Sequence, residues 1–304
     1  MIDLPLLHVT LHLHQLDDLR LPEHAGSMLR GAFGHALRKL ACITKQKDCS
    51  ICPLYRSCAY TQIFETPAPL HEESQKQQSA NPYVIHAPNL STRLITRDST
   101  WQFGLVLIGK AIDQLPLIAY AWQKACEHGF GTQQSKARLV GIYQDENSLY
   151  QPDKPLKTPQ RFVPDNTPLP ATIRLHFTSP VRIQHQNHVI LRAEELTASV
   201  VLITLAKRIQ RLAELHAQPV SLDIAKLVKL AQTIRLDSQL THATVTRYSN
   251  RQQRLMNLEG LMGEITLTGE LGEFAPLLRL GEQVHVGKSA TFGLGRYTLT
   301  TSRD

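Results

Sequence analysis

The sequence predicts an α+β protein with two antiparallel domains in tandem. Each half of the 304-residue chain places helical runs between strand-like runs, in the order strand, helix, strands, helix and strand. A stretch with five prolines, residues 145–168, lies between the halves. A chain of this length has room for about two domains. We therefore expect one domain at residues 1–150 and a second at 171–304, joined by a linker at 151–170.

The first half begins with a half-buried strand. Residues 6–14 alternate between aliphatic side chains and polar ones, most of them histidine, which is typical of an antiparallel strand with one solvated face. The pattern then predicts a helix at 25–42, a strand at 101–111, a helix at 113–129 closed by Gly129, and a strand at 136–144.

The second half repeats this order. It predicts a strand pair at 171–183, a long helix at 194–217, a further helix at 222–234, strands within 241–271, and a short helix before a glycine-rich loop. Two such units resemble duplicated ferredoxin-like domains, the split βαβ arrangement.

One face of the helix at 25–42 has an unusual composition. Opposite the apolar residues, this face carries Ser27, Arg30, Gly31, Gly34, His35, Arg38 and Cys42. Glycine costs about 1 kcal/mol relative to alanine in a helix interior, whereas an ordinary solvated face would carry Glu, Lys or Gln. We interpret the face as a surface for close contact with phosphate. The alternative is a helix that packs tightly against another element through Gly31 and Gly34.

The overall charge favours an anionic partner. The formal net charge is +7, which suits binding to nucleic acid. Apolar runs are interrupted by charge before they reach the length of a membrane span, and the N-terminus lacks the pattern of a signal peptide. We expect a cytoplasmic protein without a membrane partner.

Four of the five cysteines are clustered. Cys42, Cys49, Cys52 and Cys58 have the spacing C-x6-C-x2-C-x5-C, and Cys126 stands apart in an apolar stretch. Thiols in the cytosol stay reduced, so the cluster predicts a structural metal site in an insertion at residues 42–60. Four thiolates suit Zn²⁺, and an iron–sulfur cluster is the alternative. Buried thiols without a metal are a third possibility, and we assign Cys126 to the core.

A glycine-rich loop lies near the C-terminus between two apolar, strand-like runs. It contains Gly287, Lys288, Gly293 and Gly295, and Arg296 follows it. Glycine lets backbone N–H groups approach phosphate oxygens, and the two cations supply charge. A tight hairpin whose glycines only shape the turn is the alternative.

A second basic segment lies at residues 247–254. Arg247, Tyr248, Ser249, Arg251 and Gln252 combine an aromatic ring, fixed cations and hydrogen-bonding groups. This mixture suits an RNA loop or strand end, although an amphipathic strand edge has a similar composition.

Several of these strings together resemble a known family. They are LPEHAGSMLRGAFGHALRKLAC, the four-cysteine block, FTSPVRI, RYSNRQ, LMGEITLTGEL and VHVGKSATFGLGRY. In this order they are similar to the CRISPR-associated RAMP endoribonucleases that process precursor crRNA, the sixth-numbered Cas family. The resemblance implies two RRM-like, ferredoxin-like domains that bind CRISPR repeat RNA, with other Cas effector subunits as further partners.

The same resemblance implies a metal-independent endoribonuclease. In such a reaction the RNA's own 2′-OH attacks the adjacent phosphate and leaves 2′,3′-cyclic phosphate and 5′-OH ends, without a catalytic cofactor. Related enzymes place a histidine in or beside the first helix, which corresponds to His35 here, with His24 as the second candidate. Arg30 and Arg38 are the candidates for phosphate contacts.

Two rival functions remain open at this point. The first is a non-catalytic RAMP subunit that holds guide RNA in an effector complex, which would bind RNA without cleaving it. The second is a metal-stabilised adaptor whose cysteine block contacts another protein.

Overall fold

The structure of the protein is a computed structural model that describes residues 2–69, 80–87, 94–165, 167–249 and 254–301. The backbone forms two compact units. The N-terminal unit comprises residues 5–161 with 215–217, and the C-terminal unit comprises 162–214 and 218–304 with 1–4. The division at residues 161 and 162 falls inside the stretch predicted to be a linker.

The N-terminal unit is an antiparallel sheet with helices. Its strands are β1 (Leu6–Gln15), β2 (Leu19–Arg20), β3 (Tyr83–His86), β4 (Leu94–Ile95), β5 (Thr100–Ile108), β6 (Ala137–Gln144) and β7 (Asn147–Tyr150), and its helices are α1 (Gly26–Ala41), α2 (Ala59–Phe64) and α3 (Leu115–His128). The main sheet has the order β3-β5-β1-β6-β7, and β2 pairs with β4 separately.

The second half of the chain repeats this architecture. Its strands are β8 (Thr172–Val181), β9 (Gln184–His185), β10 (His188–Val189), β11 (Arg235–Ser249), β12 (Arg254–Thr268) and β13 (Tyr297–Thr301), and its helices are α4 (Ala198–His216), α5 (Ile224–Gln232) and α6 (Ala275–Val284). The main sheet has the order β11-β12-β8-β13.

Both main sheets have the same connectivity. In chain order, β1, β3, β5 and β6 of the first sheet correspond to β8, β11, β12 and β13 of the second. Across each sheet these four strands lie in the order fourth, first, third, second, which is β6-β1-β5-β3 in the first sheet and β13-β8-β12-β11 in the second. Neighbouring strands are antiparallel. This is the order of the split βαβ, ferredoxin-like arrangement. The predicted α+β class is confirmed.

The alternation of β1 places its aliphatic side chains in the core. Leu7, Val9, Leu11 and Leu13 are fully buried, and the histidines between them are not. Strand β1 lies between β5 and β6, so this row of side chains forms the middle of the N-terminal core. The interpretation of Cys126 as a core residue is also confirmed, since its side chain is fully buried on α3.

Helix α1 is anchored to this core through aromatic rings. The Phe33 ring stacks on the Trp122 ring of α3 at 5.0 Å between centroids, with 12° between the ring planes. A second contact joins α1 to α2, where Gly34 lies directly against the Phe64 ring. These contacts fix the rotation of α1 about its own axis and thereby decide which of its side chains reach the surface.

One predicted element differs from the structure. Residues 171–183 do not form a strand pair, because Thr172–Val181 is one continuous strand between β12 and β13. The apolar run before the glycine-rich loop, described above as strand-like, forms helix α6, which confirms the short helix predicted at this place. Its side chains follow a helical period, and the Tyr297 hydroxyl of β13 donates to Leu278 O of α6 at 2.6 Å.

Candidate functional site

His35 lies on an exposed side of α1 and contacts a second histidine. Its ring centroid is 5.3 Å from that of His128, and the two ring planes differ by 27°. Both residues are exposed. His128 is the last residue of α3, and the chain leaves the helix at Gly129, which has φ 93. A side chain at Gly129 would overlap Gln134 O, so this turn requires glycine.

The surroundings of His35 favour its neutral form. Burial lowers the pKa of His35 below its ordinary value, and the charges of His128 and Lys39 lower it further. An imidazole with a lowered pKa is uncharged at neutral pH and can accept a proton. Lys39 follows His35 by four residues on α1, so the two side chains lie on the same side of the helix.

Arg30 and Arg38, the two arginines predicted to contact phosphate, lie on a different side of α1 from His35. Arg30 places its guanidinium carbon 4.1 Å from the centroid of the Phe64 ring. Arg38 donates from Nη2 to Gln46 O at 2.6 Å and to Lys47 O at 2.8 Å. Both arginines therefore lie toward α2 and the cysteine segment. Their role in RNA binding stays a prediction.

The interpretation of the whole polar face of α1 as one phosphate surface needs correction. Gly34 is buried, and a Cβ at this position would collide with the Phe64 ring. Arg30, Gly34 and Arg38 are spaced by four residues and form one stripe, which packs on α2 and the segment before it. Tight helix packing thus explains Gly34, whereas His35 and Lys39 on the neighbouring side of α1 are exposed.

His24 lies at the other end of the helix. It is half-buried in the turn before α1. Eleven residues separate it from His35, which corresponds to about 16 Å along a helix axis at 1.5 Å per residue. The two predicted catalytic histidines therefore lie on different parts of this segment, one before α1 and one within it. Which of them is catalytic is still a prediction.

The four clustered cysteines line one small cavity. Cys42, Cys49, Cys52 and Cys58 are all half-buried and surround a space of about 20 Å³, which has room for one water-sized particle. Thr44 Oγ1 lies 3.3 Å from Cys52 Sγ. Within the described residues, however, no three histidine, cysteine or acidic side chains meet the geometry of a metal site.

The glycine-rich loop has a defined shape. Gly287, Gly293 and Gly295 have positive φ angles, and side chains at Gly287 and Gly295 would overlap the carbonyl oxygens of Arg182 and Val286. The N–H groups of Gly293 and Gly295 donate to Ala290 O and Pro180 O at 2.9 Å each. These N–H groups are therefore occupied, and the two glycines shape the loop instead of offering donors to phosphate.

Cationic side chains remain on this loop. Burial lowers the pKa of Lys288, and the nearby charge of Arg182 lowers it further. Burial likewise lowers the pKa of Arg296. Lys288 N donates to Arg182 O at 2.7 Å, so the backbone holds the Lys288 and Arg182 side chains on neighbouring segments. Two nearby cations repel each other unless an anion lies between them.

The second predicted RNA-binding segment is described only in part. Arg247 places its guanidinium carbon 5.3 Å from the centroid of the Phe292 ring, next to the glycine-rich loop. Tyr248 pairs with Leu255 through the backbone of the β11–β12 hairpin. Arg251 and Gln252 lie outside the described residues. The structure thus brings Arg247 to the loop that contains Lys288.

Sequence reasoning missed His128 and Lys39. A signal for each was present in the sequence, since His128 precedes the glycine that closes a predicted helix and Lys39 follows His35 by four residues. The contact between His35 and His128 depends on how α1 and α3 pack, which no local pattern specifies.

Comparisons with known proteins agree with this architecture. Residues 4–163 match the family model of the AF_1859_N N-terminal domain, and residues 175–297 match that of the CRISPR-associated endoribonuclease Cas6. The first match lies in the N-terminal part of the chain and the second in the C-terminal part. Among curated proteins, no sequence matches this chain.

Solved structures show the same fold. A Cas6 product complex has a TM-score of 0.60 at 15% identity and covers 97% of this chain and 100% of its own. Thermus thermophilus Cas6 has a TM-score of 0.54 at 14% identity, with 98% and 99% covered. A partial Cas6-RT-Cas1–Cas2 complex has a TM-score of 0.60 at 16% identity, with 99% of this chain and 47% of that one covered.

The fold consists of two ferredoxin-like units, an architecture that this chain shares with the solved Cas6 structures. The C-terminal part, residues 175–297, matches the Cas6 endoribonuclease family. This is a family of RNA-cleaving enzymes that act in CRISPR RNA processing. Among the described residues, no helix is long and apolar enough to span a bilayer.

Proposed function

We propose that this protein binds the repeat of precursor crRNA and cuts one phosphodiester bond without a catalytic metal ion. The 2′-OH attacks the adjacent phosphorus, the bond to the 5′ oxygen breaks, and the products carry a 2′,3′-cyclic phosphate and a 5′-OH. The observation that carries the proposal is the exposed imidazole of His35 in a chain whose C-terminal part matches an RNA-cleaving family.

The surroundings of His35 fit this chemistry. The reaction needs a base for the 2′-OH and positive charge near the phosphorus, where negative charge increases in the transition state. The lowered pKa of His35 keeps the imidazole neutral at pH 7, as a base requires. Lys39, one helical turn away, supplies the positive charge.

The C-terminal unit supplies the cations for RNA binding in this proposal. Lys288, Arg296 and Arg247 lie on or beside the glycine-rich loop, and phosphate contacts of this kind fix the register of the RNA without reading its sequence. Related structures include a Cas6 substrate mimic complex and a Cas6-RT-Cas1–Cas2 complex. We therefore propose repeat RNA as the ligand, other Cas subunits as further partners and the cytoplasm as the location.

One experiment separates this function from its main rival. Purified protein is incubated with precursor RNA of its own CRISPR array in EDTA, and the ends of the products are determined. We expect cleavage at one position in each repeat, with cyclic phosphate and 5′-OH ends, and no cleavage when the nucleotide 5′ of the cut is 2′-deoxy. Tight binding without any cleavage, with or without added Mg²⁺, would instead support a non-catalytic RAMP subunit.

We also propose that the four-cysteine cavity binds one structural metal ion, with Zn²⁺ as the first candidate and an iron–sulfur cluster as the second. The support is the convergence of all four thiols on one cavity. Cys42 directly follows α1 and Cys58 directly precedes α2, so an ion bound to both would brace the two helices. The side chains would have to close around the ion by small movements.

Elemental analysis of natively purified protein tests the metal proposal. We expect about one equivalent of zinc in the wild type, and we expect Cys49→Ser to lose both the zinc and thermal stability. Iron with a brown colour would favour a cluster. Protein that contains neither metal, and whose stability does not depend on chelators, would contradict the proposal without affecting the cleavage proposal.

A further inference from the structure

The contact between His35 and His128 joins two titratable groups on different helices. The rings lie nearly parallel at 5.3 Å, and both side chains are open to solvent. Buried histidines elsewhere in the chain, such as His285, lie within the core. An exposed pair has no packing role that would require two imidazoles.

The charges around the pair favour the neutral form of His35. His128 and Lys39 are the charged groups that act on His35. His128 ends α3, where the partial negative charge of the helix C-terminus stabilises a cation. The neighbouring acid, Glu127, is paired with Lys124 at 2.6 Å. The lowered pKa of His35 therefore suits this residue to accept a proton.

We propose that His128 is the second proton-transfer residue of the cleavage reaction. The proposal rests on the proposed function and extends it. Nε2 or Nδ1 of His35 accepts the proton of the 2′-OH as the 2′ oxygen forms its bond to phosphorus. Protonated His128 gives its proton to the 5′ oxygen as the bond between that oxygen and phosphorus breaks.

The step is balanced in atoms, electrons and charge. One P–O bond forms and one breaks, and one proton leaves the 2′ oxygen while another joins the 5′ oxygen. After the reaction His35 carries a proton and His128 does not, and exchange with water restores the starting state. Two imidazoles on one surface can serve both oxygens of one phosphate, whereas His35 alone would have to serve the entering and leaving oxygens in turn.

A modified RNA distinguishes a proton donor from any other role. In this RNA a sulfur atom replaces the 5′ oxygen at the cut, and a thiolate leaves without being protonated because of its lower pKa. We expect His128→Ala to slow cleavage of ordinary RNA by about 10²-fold or more, the usual size of such a contribution. We expect the His128→Ala protein to cleave the sulfur-containing RNA at a rate within about tenfold of the wild-type rate. His35→Ala should remain slow on both RNAs.

Controls separate this result from unfolding and from failure of the proposed function. His188→Ala removes an exposed histidine of the β9–β10 hairpin and should cleave both RNAs at the wild-type rate. His128→Gln keeps a polar side chain of similar size, so its thermal stability should match the wild type while its cleavage defect remains. If the wild-type protein cuts neither RNA, the proposed function itself fails.

Three outcomes would overturn the inference and leave the proposed function intact. One is wild-type cleavage of ordinary RNA by His128→Ala. Another is an equal defect of His128→Ala on both RNAs. The third is rescue of His35→Ala, instead of His128→Ala, by the sulfur-containing RNA, which would exchange the two roles.

The pH dependence provides a second measurement. Cleavage requires neutral His35, so the rate should fall as the pH drops through the pKa of His35, which lies below its ordinary value of 6.5. Because His128 contributes to this lowering, His128→Ala should raise the pKa of His35 in an NMR titration. An unchanged His35 pKa would show that the two rings do not interact in solution.

Discussion

The connection from α3 to β6 in the N-terminal unit differs from the corresponding connection, from α6 to β13, in the C-terminal unit. In the N-terminal unit it runs from Gly129 to Lys136 and is closed by a bridge between Phe130 and Ser135. In the C-terminal unit it is the longer segment 285–296, which contains the glycine-rich loop. The first connection follows an exposed histidine, and the second carries cations.

In the proposals above, this difference gives the two units two different tasks. Both connections contain glycines with positive φ. Gly129 directly follows α3 in one unit, and Gly295 lies two residues before β13 in the other. The sheets provide the same frame, and the connections determine which side chains stand at its surface. We assign proton transfer to the N-terminal unit and RNA binding to the C-terminal unit, and the following predictions test this division.

The largest effect should come from His35→Ala. We expect cleavage of repeat RNA to fall by about 10²-fold or more because a proton acceptor is lost, while the affinity for the RNA stays close to that of the wild type. Single-turnover rates and filter-binding measurements on the same preparation give both values. If the rate is unchanged and His24→Ala is inactive instead, the catalytic role belongs to the other end of α1.

The next effect concerns stability and should appear in Gly295→Ala. The native φ of 71 is unfavourable for alanine, and its Cβ would overlap Val286 O. We expect the free energy of unfolding to fall by about 2–4 kcal/mol. Urea titration of the variant and the wild type measures this free energy of unfolding.

A matched control for this variant is Gly272→Ala. No atom lies within 4 Å of the position that its Cβ would occupy, so its stability should stay within about 0.5 kcal/mol of the wild type. Equal stability of the two variants would show that the loop does not need its glycine.

The smallest effect should come from Lys288→Ala. If Lys288 contacts one phosphate, its removal should weaken RNA binding and reduce the slope of log affinity against log salt by about 1. Cleavage at saturating protein should remain near the wild-type rate, in contrast to His35→Ala. An unchanged salt slope would remove the loop from the RNA-binding surface.

Local sequence patterns were sufficient to predict the α+β class, most helices and strands, and the core face of β1. These features follow from local periodicity, because alternating or helical spacing of apolar residues specifies which side is buried. Leu7, Val9, Leu11 and Leu13 are buried as expected. Residues 171–183 were divided wrongly because a local pattern does not show where a strand stays continuous.

The tertiary structure alone decided how the polar face of α1 is used. A helical wheel places Arg30, Gly34, His35 and Arg38 together, but the Phe64 ring occupies the stripe that contains Gly34, and Arg38 reaches carbonyl oxygens of the cysteine segment. The position of His128 next to His35 has the same origin. Both depend on the rotation of α1 against α2 and α3, which is set by ring contacts between residues far apart in the chain, such as Phe33 and Trp122.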